Sequence, residues 1–329
     1  MQPFKYRREE NSAAAVAAIG QLEHSKFLAG GTNLIDLMKN GVERPAALVD
    51  INRLPLAKIE ALPDGGVRLG ALARNSDTAN HPLVRERYPL LAYAILSGAS
   101  PQLRNLATNG GNLLQRTRCP YFMDTGFAQC NKRDPGSGCG AIEGFNRMHA
   151  IFGTSEQCIA THPSDMCVAL AALEARIVIM GPQGERIIPI AEFHRLPGDT
   201  PQSDTTLRPG ELITSIDLPK SPYARHSHYL KIRDRSSYEF ALVSVAAALE
   251  LDGDTITSAR LVLGGVAHKP WRLEQAEKIL TGNKMERHLF AAAAHTGMEG
   301  AKTFRYNRYK VEMATRGIRQ ALGVAGGVA

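Results

Sequence analysis

One tryptophan and 6% aromatic residues in 329 leave little with which to stack nucleotide bases, and no basic stripe is interleaved with stacking side chains. That argues against a nucleic-acid-binding protein. No apolar run approaches the roughly 20 residues that span a bilayer as a helix. C-x-x-C is absent, so the common zinc-ribbon spacing is missing, and neither H-E-x-x-H nor G-x-S-x-G occurs. The first third and the last two-fifths of the chain contain no cysteine: all five lie between Cys119 and Cys167. Hydrophobic residues at 44% and charged residues at 22% exclude a disordered chain, a collagen and a disulfide-dense miniprotein. The net charge of +7 favours an anionic ligand or partner without naming one.

The length suggests about two domains at roughly 150 residues each. Arg7-Arg8 ahead of "AAAVAAIG" superficially resembles a twin-arginine signal, but Glu9-Glu10 intervene and the apolar stretch is short, so no cleavable signal is expected. The pattern instead predicts a strand over Phe4–Arg7 and an alanine-rich helix from Ala13 capped by Ser12. Strand, glycine turn and helix follow at Lys26–Ala29, Gly30–Thr32 and Leu34–Asn40, then a strand at Ala46–Ile51. Strand-like "KIEAL" and "VRLGAL" flank a Gly-Gly turn, and a helical region is expected from about Asn75 to Gly98. From Leu114 to about Gly144 hydrophobic periodicity vanishes; two prolines, five glycines and three cysteines mark a long irregular loop. Loops of that length are uncommon unless something pins them. Strands are expected at His149–Gly153 and Gln157–His162, a helix over Met166–Ala175 capped by Ser164 or Asp165, and a hairpin in "RIVIMGPQGERIIPI". Pro219–Pro222 resembles a boundary, beyond which three strands and three helices are expected, the helices near Glu274–Leu280, Leu289–His295 and Tyr309–Leu322. The architecture expected is two α+β domains.

Several segments carry chemistry. Gly30-Gly31-Thr32-Asn33 joins a strand to a helix, and a glycine pair there leaves N–H groups free for a phosphate beside a helix N-terminus. Its spacing is neither the Rossmann fingerprint nor a Walker A loop. Thr108-Asn109-Gly110-Gly111-Asn112 is a second such turn, and a dinucleotide offers a pyrophosphate and two further ends to hold. Either segment also reads as an ordinary surface turn. Cys119, Cys130, Cys139 and Cys158 are separated by ten, eight and eighteen residues, which leaves a cubane iron–sulfur cluster, zinc, and disulfides or free thiols all open. Arg116, Arg118, Lys132 and Arg133 flank these thiols and would favour thiolates. Cys167, in the apolar run "MCVALAAL", reads as an inert buried thiol. Lys231, Arg233, Asp234 and Arg235 form a charged cluster, either a solvated edge or a cation near an electron-rich ring.

"KFLAGGTNLIDLMK", "ATNGGNLLQ" and "HPSDMCVAL" together resemble the flavin-binding subunits of the molybdenum hydroxylases, relatives of xanthine and carbon monoxide dehydrogenases, over essentially the whole chain. The loop "RTRCPYFMDTGFAQCNKRDPGSGCGAIEGF" is similar to that of the bacterial periplasmic aldehyde oxidoreductases, whose medium subunit carries FAD and a [4Fe–4S] cluster. The resemblance implies an FAD-binding domain of the vanillyl-alcohol-oxidase/PCMH type over residues 1–221, with an iron–sulfur loop at about 114–160, and a smaller α+β domain of the CO dehydrogenase flavoprotein type over 222–329. It implies FAD contacts from Lys26, Phe27, Leu28, Ala29, Gly30, Gly31, Thr32, Asn33 and Leu34, and from Thr108, Gly111 and Asn112 at the second turn. Asp165 would meet the ribityl or adenosine side, Ile213 would pack near the ring system and Lys231 would approach the isoalloxazine. Cys119, Cys130, Cys139 and Cys158 would ligate the cluster, leaving Cys167 without a role. The implied partners are a small [2Fe–2S] subunit and a large molybdenum-cofactor subunit in a heterotrimer, with electrons passing through FAD to an external acceptor. The implied location is the periplasm, reached on a partner's export signal. A stand-alone flavin reductase or oxidase, and a zinc- or disulfide-stabilised binding protein, are the alternatives.

Overall fold

The computed structural model describes residues 1–328, which build three sheets. In the first, β3 (Ala47–Asp50) lies between β1 (Lys5–Arg8) and β2 (Ser25–Leu28), parallel to both. All four β3 residues are buried, as a central parallel strand requires. The helix Ser12–Gln21 crosses from β1 to β2 and buries Ala15, Val16, Ala18 and Ile19. Its cap is Asn11 rather than Ser12: Ala14 N–H donates to Asn11 Oδ1 at 2.8 Å, because the helix starts one residue earlier than expected.

The second sheet is antiparallel, ordered β4 (Ile59–Ala61), β5 (Val67–Gly70), β8 (Leu212–Leu218), β6 (Arg176–Gly181), β7 (Gly184–Pro189). The chain between β5 and β6 carries the second glycine turn, all five cysteines and Asp165. The helical region expected over Asn75–Gly98 is three helices, Asn75–Asn80, Pro82–Arg87 and Pro89–Ser97. Pro82 and Pro89 each open a helix, since a proline lacks the N–H and the room to continue the one before it.

The third sheet is antiparallel, ordered β12 (Trp271–Arg272), β11 (Thr255–Gly264), β10 (Val243–Asp252), β9 (Ser227–Ile232). Val243, Val245, Ala247 and Leu249 of β10 pack with the helices Glu274–Leu280, Arg287–Gly297 and Tyr309–Gly326. The alternate residues Ala246 and Ala248 join the core of the second sheet and the helix Asp165–Ala172. Burial on both faces explains why this strand reads as an unbroken apolar run. Among the described residues no helix is long and apolar enough to cross a membrane.

The loop that begins at Leu114 is irregular, broken by the short helices Pro120–Met123 and Gly140–Glu143. The strands expected at His149–Gly153 and Gln157–His162 do not form. Ile151, Phe152 and Ile159 are buried as strand residues would be, and Phe152 stacks on Trp271 of β12 at 5.1 Å, but the segment joins no sheet ladder. Instead the N–H groups of Ile151 and Phe152 both donate to Val266 O, at 2.9 and 3.0 Å, and Ala150 N–H donates to Ile159 O at 2.9 Å. Ion pairs add further anchors. Arg116 binds Glu43 at 2.6 Å and Asp204 at 2.8 Å, and the buried Lys132 ammonium donates to Asp204 at 2.5 Å and Pro201 O at 2.6 Å. Burial alone would raise the Asp204 carboxyl, but the Lys132 and Arg116 charges outweigh it and hold it at about 2.

A second buried pair couples the β9 strand to the first part of the chain. Lys231 Nζ donates to Asp165 at 2.8 Å, and Tyr229 Oη donates to the other carboxylate oxygen at 2.7 Å. Burial, and then the Asp165 charge, drives the Tyr229 hydroxyl far above its ordinary range, so it stays a donor.

Asp165→Ala would leave an ammonium and a hydroxyl buried without partners; a loss of about 3–5 kcal/mol is expected in urea unfolding monitored by circular dichroism. Because the Asp204 pKa falls on folding from 3.8 to about 2, its contribution is full above pH 4 and is lost as pH drops toward 2. Asp204→Asn should therefore cost about 2 kcal/mol at pH 7 and flatten the stability profile between pH 4 and 2.

Candidate cofactor site

After β2 the backbone turns through Gly30 and Gly31 into the helix Leu34–Lys39. Gly31 has φ +73°, a left-handed conformation that a side chain would strain. At Gly30 the constraint is contact: an added Cβ would lie 2.1 Å from Leu106 O. The backbone N–H groups of Gly30 to Leu34 make no hydrogen bond among the described residues. They are the free donors of a helix entry.

The second glycine turn is held against the first by that same approach. Thr108 caps the short helix Asn109–Leu113, its Oγ1 accepting from Gly111 N–H at 3.2 Å. Asn109 is fully buried; its Nδ2 donates to Gly70 O at 3.2 Å and Thr78 Oγ1 at 2.9 Å, while its Oδ1 accepts from Asn75 at 3.1 Å. Asn112 donates to Asn75 at 2.7 Å and accepts from Ser164 Oγ at 2.6 Å and Gln115 at 2.7 Å. The two turns are thus one assembly.

Two cavities meet at this assembly. Lys26, Phe27, Ala29–Leu34, Thr108, Gly111 and Ile213 line the first. The second shares Gly30–Asn33 and is lined further by Asn112, Asp165 and Lys231. Leu28 lines neither, and its carbonyl accepts from Ile51 N–H at 3.0 Å. Ser164 rather than Asp165 caps the helix, accepting from Cys167 N–H at 3.1 Å, which leaves the Asp165 carboxylate to Lys231 and Tyr229. Lys231 also donates to Ser97 O at 3.1 Å. Asn33 Nδ2 is buried at the junction of the cavities without a partner. Unpaired N–H groups, an orphaned buried amide and a cavity on each side of the turn fit a dinucleotide whose pyrophosphate sits at the glycines and whose ends run both ways.

Cys119, Cys130, Cys139 and Cys158 come from separate segments and line one small enclosed void. All five cysteines of the chain are free thiols. Cys130 and Cys139 face each other across an isolated antiparallel bridge. The neighbouring Cys158 draws the Cys139 thiol down, while Cys139 and burial push Cys158 up. Nearby backbone N–H groups favour the thiolate forms: Phe122 and Tyr121 for Cys119, Ala141, Ile159 and Ile142 for Cys139, and Ala160 for Cys158. Such donors are what a thiolate, which only accepts, requires. Cys167 lies apart and fully buried with His162 and His194, its thiol raised to about 12 by burial. Between the void and the second cavity lies a third cavity lined by Cys119, His149, Arg118, Asp165 and Phe240, so the cysteine site and the Asp165–Lys231 wall are contiguous.

Sequence reasoning missed Tyr229, Asp204, and two histidines beside the thiols. His149 Nε2 lies 3.1 Å from Cys119 Sγ, and His268 Nε2 lies 3.3 Å from Cys158 Sγ. Burial, aided by the Lys310 charge for His149 and the Lys132 charge for His268, lowers them to about 4 and about 3, so both are neutral at pH 7. Each is a lone histidine in its local sequence, and nothing adjacent distinguishes it.

Comparison with known proteins agrees with this geometry. Residues 2–221 match the model of the FAD binding domain in molybdopterin dehydrogenase, and residues 228–316 that of the CO dehydrogenase flavoprotein C-terminal domain. The chain is 50% identical over 327 residues to the aldehyde oxidoreductase FAD-binding subunit PaoB of Escherichia coli K12, covering 99% of each. It is 28% identical to the carbon monoxide dehydrogenase medium chain of Hydrogenophaga pseudoflava, over 98% of this chain and 96% of that one. A solved structure of carbon monoxide dehydrogenase from the same organism superposes with a TM-score of 0.78 at 27% identity, covering all of both chains. With its paired glycine turns set between two cavities, the chain belongs to the family of FAD-binding subunits of the molybdenum hydroxylases, which are oxidoreductase complexes.

Proposed function

We propose that this chain is the electron-transfer subunit of a molybdenum-containing aldehyde oxidoreductase, carrying FAD and a [4Fe–4S] cluster. It would pass electrons from iron–sulfur centres through FAD to an external acceptor. The observation that carries this reading is the convergence of Cys119, Cys130, Cys139 and Cys158 on one void contiguous with the flavin-side cavity. Half the residues being shared with an aldehyde oxidoreductase subunit over both full lengths supports the substrate class. In this reading the FAD unit spans residues 1–221, with the cluster loop at about 114–160, and residues 222–329 form the second unit. The partners are a small [2Fe–2S] subunit and a large molybdenum-cofactor subunit, and aldehyde is oxidised in the latter.

FAD, when bound, supplies the exchange between the one-electron chemistry of iron–sulfur centres and a two-electron acceptor. The chain's own residues hold and shape its surroundings. The N–H groups of Gly30 to Leu34 bind the pyrophosphate, with Thr108 and Gly111 closing the second turn. Ile213 gives the first cavity an apolar wall, and Asn112, Asp165 and Lys231 line the second. No general acid or base is asked of this chain for the aldehyde step.

The cluster is favoured over zinc by spacing. Four thiolates on one zinc stand roughly 3.8 Å apart, from Zn–S bonds of about 2.3 Å. Among the described residues, the trio of ligand atoms lying within 4.8 Å of one another is His162, Cys167 and His194, not any three of these four sulfurs. Thiols not gathered within reach of a single ion suit a polynuclear centre. Location in the periplasm, as a folded complex carried by a partner's export signal, follows from the same reading, since the cluster must be assembled before translocation.

Three outcomes test the proposal. The purified chain should show flavin bands with a broad brown shoulder and about four irons and four acid-labile sulfides; a colourless protein that stays so on anaerobic reconstitution would leave the zinc or disulfide alternative, and flavin without iron the plain flavoprotein. Cys130→Ser should lose nearly all iron and keep most FAD, whereas Gly30→Val, whose side chain would meet Leu106 O, should lose FAD roughly tenfold and keep its iron. Cell fractionation should find the chain in the periplasm only when the partner's signal is intact; periplasmic chain in the absence of any partner contradicts that part.

A further inference from the structure

The cysteine void has two buried neighbours that ligation does not use. His149, 2% exposed, precedes the buried Ile151–Phe152 segment, and His268, 7% exposed, follows β11 in the second half of the chain. Their Nε2 atoms approach different sulfurs, Cys119 at 3.1 Å and Cys158 at 3.3 Å. The backbone fixes both rings' positions. His149 N–H donates to Asn146 O at 3.1 Å and its carbonyl accepts from Asn307 Nδ2 at 3.3 Å, while Ala267 O, next to His268, accepts from His162 N–H at 2.9 Å.

The chemistry of a ligating cysteine decides the direction of these contacts. A metal-bound cysteine is a thiolate with lone pairs only, so a nitrogen at hydrogen-bonding distance must supply the hydrogen. That assigns the proton of each ring to Nε2. It leaves Nδ1 as the bare atom, in keeping with both Nδ1 atoms lacking a partner among the described residues. The opposite tautomer would set two lone pairs against each other inside the protein.

Resting on the cluster reading above, we propose that His149 and His268 are positioning residues that donate Nε2–H bonds to Cys119 and Cys158 and thereby raise the reduction potential of the [4Fe–4S] cluster. Reduction adds negative charge to a cluster whose sulfurs carry much of it, and a hydrogen bond to sulfur strengthens as that charge grows. Donors in the outer shell therefore favour the reduced form. Cys139 is served by three backbone N–H groups, which no side-chain substitution removes. Cys119 and Cys158 are where side chains contribute, and the effect of substitution should be concentrated there. His149 also lines the cavity that runs from Cys119 to Asp165, so its bond lies on the flavin-facing side of the cluster.

The test is a redox titration of the assembled complex, following the reduced cluster by electron paramagnetic resonance, with iron counted on every sample. His149→Leu and His268→Leu should each move the midpoint to more negative potential, and the double variant further. His149→Gln and His268→Gln, whose amide nitrogen reaches the Nε2 position, should recover most of the shift. Wild-type potentials in both leucine variants at full iron content would overturn the assignment while leaving the cluster reading intact. A wild-type complex whose medium subunit holds no iron would overturn both. Should the leucine variants lose iron, the wild-type complex labelled with ¹⁵N-histidine decides: pulsed resonance of the reduced cluster should show coupling to histidine nitrogen, and its absence would overturn the assignment.

Discussion

The candidate site depends on one backbone contact. Gly30 lies so close to Leu106 O that no side chain fits between them, and this binds the turn after β2 to a turn more than seventy residues later. Neither turn alone makes a cradle. Together they set free N–H groups, the Thr108 cap and the unpartnered Asn33 amide nitrogen where two cavities meet. The helix entry at Leu34 cannot satisfy its own first donors, so this region of the fold is left incomplete in a way that an anion completes.

The cysteine loop poses the converse problem. It has almost no ladder to satisfy its backbone: Ile151 and Phe152 pack into the core of the third sheet, yet their N–H groups go to Val266 O in a turn rather than to a strand. Charges supply much of what secondary structure does elsewhere. Asp204, itself outside the loop, receives both Arg116 and Lys132, and Lys310 reaches Met148 O and Gly265 O from the last helix, at the cost of an ammonium that burial lowers to about 7. Arg133 collects the carbonyls of Tyr121 and Phe122 beside Cys119. These contacts converge around the four thiols, so the loop's conformation and its capacity to hold a cluster are one property.

The third sheet makes the site a product of the whole chain. Strand β10 is sandwiched, one face on the terminal helices and the other on the core beneath the helix Asp165–Ala172. Across that interface Tyr229 and Lys231 hold Asp165, fixing a wall of the second cavity. His268 reaches Cys158 from the same side. The surroundings of both proposed cofactors therefore draw on residues more than a hundred positions apart.

Much of this was legible locally. The glycine pairs announced turns because glycine adopts φ +73° without strain and alone tolerates a contact like that at Gly30, and the β6–β7 hairpin announced itself by two β-branched runs around Gly181–Gly184. Loss of periodicity after Leu114 marked the irregular loop and its thiols. The three-way break of the helical region was also written locally, in Pro82 and Pro89, and was outweighed by the apolar run between Leu90 and Leu96. What the sequence could not disclose was anything set by a partner far along the chain. His149–Gly153 has a strand's composition but pairs with no strand, and Asp165 reads as a cap until Lys231 and Tyr229 claim its oxygens. His149 and His268 acquire meaning only from Cys119 and Cys158. Backbone conformation answers to neighbours in sequence, whereas burial and hydrogen-bond pairing answer to neighbours in space, which only the folded chain brings together.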